Sequence, residues 1–233
     1  DLPPIAHRTP QDATEHIPAS VIARCRPVRD RERQRPDANF FLLFIHLDYS
    51  DTKIIRMLNA ELADTMGNLL SRACAKSLNP LQQFPHVDLE QLNELIKFDT
   101  CKILFERLTE LHDKCKLHYT DYNFHLVVDA VMATLFAANG FFEASKPWEL
   151  KNSDEEWKKR RLESIISITL ECLRISGIIL QPIVPSYSSR LLDRLSIPKE
   201  LRFWKDAKIC LRKVPQDLLN LESSILFSKI VIA

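Results

Sequence analysis

The chain has 233 residues, 45% of them hydrophobic and 27% charged, an ordinary globular profile with enough length for one or two domains. A formal net charge of +1 excludes bulk electrostatics as the main source of any nucleic-acid affinity, so such affinity must come from local chemistry. Three glycines, Gly67, Gly140 and Gly177, are too few and too scattered for a phosphate-cradling loop, and no GxGxxG, GxxxxGK or GxSxG occurs.

Residues 1–46 differ in kind from the rest. Six of the thirteen prolines fall between Pro3 and Pro36, and Arg24 to Arg35 carries six arginines among Asp30, Glu32 and other breakers. No helical or strand period is visible, which predicts a disordered or extended segment. It reads as a solvated tail, with an arginine-rich arm for RNA phosphates as the functional alternative. The longest purely apolar run, Phe40 to Ile45, is far short of the ~20 residues that cross a bilayer.

Residues 47–233 read as one helical domain, with the last thirty-five residues mixed and weakly patterned. Ile55, Leu58, Leu62, Met66, Leu69 and Ala73 recur every three or four positions and predict one amphipathic helix, broken by Pro80 and Pro85. A second helix is expected over residues 88–119, with Leu92, Leu95, Ile96, Ile103, Leu104 and Leu108 on its apolar face. A third spans about 121–144, with Phe124, Val127, Val128, Val131, Leu135 and Phe142. A fourth begins at Asp154, where acidic residues suit the helix dipole, and runs to Pro182. A fifth covers Pro185 to Leu195. The expected fold is all-α, an antiparallel bundle of about five helices.

The six cysteines include no CxxC and no neighbouring histidine in a ligand pattern, so no metal site is expected. Cys74, Cys101 and Cys172 sit in apolar helical stretches and read as small core residues of a protein from a reducing compartment. No Ser/His/Asp or Cys/His pairing reads as catalytic.

The most specific feature is Asn68 with Arg72. Four residues apart on a helix, their side chains leave from the same face. An amide and a guanidinium together can read the edge of an unpaired base. Lys146-Pro147-Trp148 adds a rigid turn that presents a flat aromatic face for stacking. Alone, such a polar pair is more often a cap or a salt bridge. Trp157 and Trp204 lack reader residues beside them and suit a purely structural role. The basic run Lys158-Lys159-Arg160-Arg161 could touch phosphates, but Glu155 and Glu156 beside it favour a solvated charged face.

The run from Leu58 to Arg72, followed by Pro147-Trp148-Glu149-Leu150, Leu170-Glu-Cys-Leu-Arg174 and Leu180-Gln-Pro-Ile-Val-Pro185, resembles the C-terminal anticodon-binding domain of methionyl-tRNA synthetases, in the mitochondrial and bacterial style. The resemblance covers about residues 48–197. It implies the helical bundle of a class Ia synthetase and recognition of the CAU anticodon of methionine tRNA, in support of methionyl-tRNA formation. It implies that Asn68 and Arg72 contact the first anticodon base, that Trp148 stacks on it and that Pro147 fixes the approach. ATP and methionine are implied for the whole enzyme. The His-x-Gly-His and Lys-Met-Ser-Lys-Ser type signatures of the catalytic half do not occur in this sequence. The chain alone is therefore expected to use no cofactor, to hold only tRNA and to catalyse nothing, with a separate catalytic domain as its other expected partner and no membrane. The competing reading is a non-enzymatic scaffold derived from a synthetase. The resemblance favours the mitochondrial matrix, with the cytoplasm as the alternative.

Overall fold

The computed structural model describes residues 64–212 and 216–220, together with Thr14 and Glu15. Apart from those last two residues, the expected disorder or extension of residues 1–46 lies outside the described residues. So does the start of the first helix, with Ile55, Leu58 and Leu62.

The described residues form a helical bundle, as expected. One wider, π-type turn over residues 64–67 leads into α1, Asn68–Ala73. Then follow α2, Leu89–Leu95; α3, Asp99–Thr120; α4, Phe124–Ser145; the single turn α5, Pro147–Leu150; α6, Glu156–Leu180; and α7, Pro185–Arg194. Four short strands complete the framework: β1 (Thr14–Glu15), β2 (Gln83–Phe84), β3 (Leu211–Arg212) and β4 (Gln216–Leu218). β1 pairs antiparallel with β3, and β2 with β4.

The second expected helix is in fact two, a correction with a local cause. Asp88 caps α2 through its side chain, which accepts from the Gln91 N–H at 2.9 Å. After Leu95 the backbone tightens to three-residue spacing, with Phe98 N–H donating to the Leu95 carbonyl at 3.0 Å. Phe98 then turns extended (ψ 133°) and Asp99 opens a new helix. The apolar period slips with the break: Cys101, Leu104 and Leu108 are buried, whereas Ile103 points outward.

α6 is the mast of the bundle. Every residue from Ser164 to Leu180 is buried, on all sides of the helix. α1, α2, α4, α5 and α7 all pack on it. α3 and α4 are joined by residues 121–123, so they run antiparallel side by side. By length and composition alone, Phe124–Leu150 could cross a membrane. Here its apolar side (Val127, Val131, Leu135, Ala138 and Phe142) is buried in the core.

Two glycines in these helices play opposite parts. At Gly177 an added Cβ would meet Leu191 Cδ2 at 3.0 Å and Leu192 Cδ2 at 3.2 Å, so its bareness lets α7 lie close against α6. At Gly140 nothing lies within 4 Å of an added Cβ. Gly140→Ala should therefore raise unfolding free energy by about 0.5–1 kcal/mol, because the helix loses its glycine entropy cost without a clash. A urea titration that shows no gain, or a loss, would count against this account of α4.

Residues 219 and 220 return to the bundle. Leu219 N–H donates to the Gln82 carbonyl at 2.7 Å, and Asn220 N–H to the Arg194 carbonyl at 3.0 Å. Trp204 packs on α3, with its ring 5.1 Å from His112 and edge-on to Tyr119 at 5.6 Å. Burial pushes Cys74 and Cys115 up to about 11 and Cys172 to about 12, so they stay protonated and unreactive at neutral pH.

Candidate nucleic-acid interface

Three pieces of chain meet at one end of the bundle. α4 ends because Lys146 adopts a left-handed conformation (φ 45°, ψ 57°) and Pro147 cannot continue the helix. Pro147 is buried and opens α5 at its first position, where its missing N–H costs nothing. One turn of helix then carries Trp148, whose side is 38% open to solvent. Lys146 Nζ and Glu149 Oε1 pair across that turn at 3.2 Å.

α1 brings the third piece. Leu69, Leu70 and Ala73 are buried, which turns Asn68 and Arg72 toward the open side. The Arg72 guanidinium lies 4.8 Å from the centre of the Phe142 ring and 6.0 Å from that of Trp148. Its Nη2 donates to Glu143 Oε2 at 2.5 Å. The ion pair is exposed and contributes little to stability. It ties the guanidinium, which also lies over the Trp148 ring, to the end of α4.

The structure thus brings Arg72 and Trp148 together, with the buried Pro147 setting the angle of the α5 turn. Asn68 is exposed one turn before Arg72 on the same helix, and among the described residues no hydrogen bond ties down its amide. The sequence reading missed Glu143 and assigned Phe142 to the core alone. Phe142 is indeed fully buried, but one ring face also carries the guanidinium. The available signal for Glu143 was its place in Phe141-Phe-Glu-Ala-Ser-Lys-Pro-Trp148, a carboxylate one turn before the Pro-Trp corner. Its partner, 71 residues away in sequence, was not readable.

The basic run is dispersed around α6. Lys158 pairs with Glu155, and Arg160 reaches Asp88 at 3.3 Å and Glu90 at 3.8 Å. Among the described residues no group of three or more His, Cys, Asp or Glu side chains could hold a metal ion.

No protein-family model matches the chain. Individual proteins do. A mitochondrial methionine–tRNA ligase from Takifugu rubripes is 34% identical over 193 residues, covering 78% of this chain and 32% of that protein. The human mitochondrial methionine–tRNA ligase is 30% identical over 161 residues, covering 64% of this chain and 26% of its own length. A bacterial methionine–tRNA ligase from Brucella suis is 28% identical over 158 residues, 68% of this chain and 29% of that protein. Among solved structures, ligand-free Mycobacterium tuberculosis methionyl-tRNA synthetase superposes with a TM-score of 0.68 at 24% identity, over 79% of this chain and 36% of that one. The same enzyme in complex with methionyl-adenylate gives 0.66 at 25% identity, over 76% and 33%. The chain spans between a quarter and a third of the length of the curated relatives it matches. It is a homologue of part of the methionine–tRNA ligases, mitochondrial and bacterial alike.

Proposed function

We propose that this chain is the tRNA-binding module of a methionine–tRNA ligase that serves mitochondrial translation, and that it recognises the CAU anticodon of methionine tRNA. The observation that carries the reading is the Arg72 guanidinium, fixed 6.0 Å from a half-open indole. The unpaired first base lies flat on Trp148, which replaces the stacking lost when the base leaves its neighbours. Cytosine then presents two acceptors and one amino donor on its outer edge. Arg72 donates to the acceptors, and Glu143 or the Asn68 amide oxygen accepts from the amino group. Uracil presents an acceptor where cytosine has its amino group, so the Glu143 carboxylate opposes it. Glu143 also holds the guanidinium in place before the base arrives, which lowers the ordering cost of binding.

In this reading the helices themselves carry no catalytic group. ATP and methionine belong to the whole enzyme, and the mitochondrial relatives support the mitochondrial assignment. The test compares stem-loops with CAU and UAU anticodons. CAU should bind more tightly by about 1–3 kcal/mol, and Glu143→Gln should narrow that gap. Equal affinity for all stem-loops would replace this reading with that of a non-enzymatic scaffold.

A further inference from the structure

A second cleft of about 240 Å³ opens around the corner from Trp148. Phe141, Ala144 and Ser145 line it, whereas Phe142 and Glu143 lie toward Arg72. At about 100° per residue, these sets occupy opposite sides of the last turn of α4. The α5 corner lies between this cleft and the Arg72–Trp148 site: Trp148 belongs to that site, while Lys146 and Glu149 border the cleft.

The second cleft is lined by two partly exposed rings, Phe98 at 54% exposure and Trp157 at 42%, and Lys158 Nζ lies 5.5 Å from the centre of the Trp157 ring. The Trp157 Nε1–H donates to Glu155 Oε2 at 2.6 Å, which fixes the indole. The Arg161 guanidinium lies 5.4 Å from the centre of the Phe98 ring. Its neighbours Lys158 and Arg160 are spent on carboxylates, but no ion pair of Arg161 occurs among the described residues. Flat aromatic faces beside an uncompensated guanidinium match an unpaired nucleotide, with its base stacked and its phosphate paired.

We propose that this cleft holds a further unpaired nucleotide of the same RNA loop, contributing affinity rather than first-base selectivity. The proposal rests on the anticodon reading above. Its occupant is RNA because the cleft pairs aromatic rings with positive charge.

The experiment titrates the full chain with CAU and UAU stem-loops. Phe98→Ala and Arg161→Gln should each weaken CAU binding, the first by roughly 5- to 150-fold, as expected for one lost base stack. Phe98→Leu keeps apolar bulk without the flat face and should also bind less tightly, which separates stacking from folding. Arg161→Gln should lower the salt slope of binding by about one phosphate contact. The preference for C over U should persist in every variant. Unchanged affinity in Phe98→Leu or in Arg161→Gln overturns the second cleft, as does a parallel loss of C-over-U preference. The Arg72–Trp148 site survives that result if Trp148→Ala still weakens binding. No binding of any stem-loop by the unaltered protein overturns both.

Discussion

Trp148→Ala is expected to weaken binding of a CAU stem-loop by about 1–3 kcal/mol, a loss of roughly 5- to 150-fold. The protein's own stability should change much less, since the indole is partly open to solvent and rests at the rim of the core. The helix turn that carries it depends on the buried Pro147, which the substitution leaves in place. Trp148→Phe should keep most of the affinity, because a flat face remains. Fluorescence anisotropy at fixed salt reads the binding, and a thermal melt reads the fold. Wild-type affinity in the Ala variant would remove the stacking platform from the mechanism.

Arg174→Met is expected to cost about 3–5 kcal/mol of unfolding free energy, the largest stability effect among these substitutions. Arg174 is buried in α6 and meets Glu171 twice, Nε to Oε2 at 2.8 Å and Nη2 to Oε1 at 2.7 Å. It also donates to the Asp206 carbonyl at 2.6 Å and the Lys208 carbonyl at 2.7 Å. Glu171 Oε1 in turn accepts from the Cys210 N–H at 2.8 Å. The pair therefore sews residues 206–210 to the central helix. Removing the guanidinium strands a carboxylate in the core and frees two carbonyls. Glu171→Leu together with Arg174→Met should recover part of the loss, since a matched apolar pair leaves no lone charge. Urea unfolding of the two single variants and the double supplies the comparison. A cost under about 1 kcal/mol for Arg174→Met would mean that water reaches the site.

Helical period made the bundle legible where one face alone is buried. α4 is the clear case, with Val127, Val131, Leu135 and Phe142 buried as spaced, although Phe124 at its start is 49% exposed and Val128 is only partly buried. Period failed at α2 and α3, because Leu95, Ile96 and Ile103 continue a plausible stripe through a break that only backbone bonds around Phe98 reveal. α6 was legible as a helix but not as the centre. Glu171 and Arg174 look like surface residues by type, and their burial depends on carbonyls more than thirty positions away. Of the candidate interface, Asn68, Arg72, Pro147 and Trp148 could be picked from local spacing and from resemblance. Glu143 could not, since its significance lies in a contact between α1 and α4. Phe98 and Arg161 were equally hidden, one at an unforeseen helix break and the other inside a basic run whose members face different ways.

Lys146 gives the interface an unusual kind of vulnerability. Its side chain is mostly in solvent, with 57% exposure, so by accessibility alone the position looks free to drift. Yet its main chain sits in a left-handed well just ahead of a proline, a combination that most side chains resist and branched ones resist most. The tilt of the Pro147–Trp148 corner thus depends on one pair of torsion angles at a wet surface position, where tolerance is governed by backbone shape rather than by anything the side chain touches.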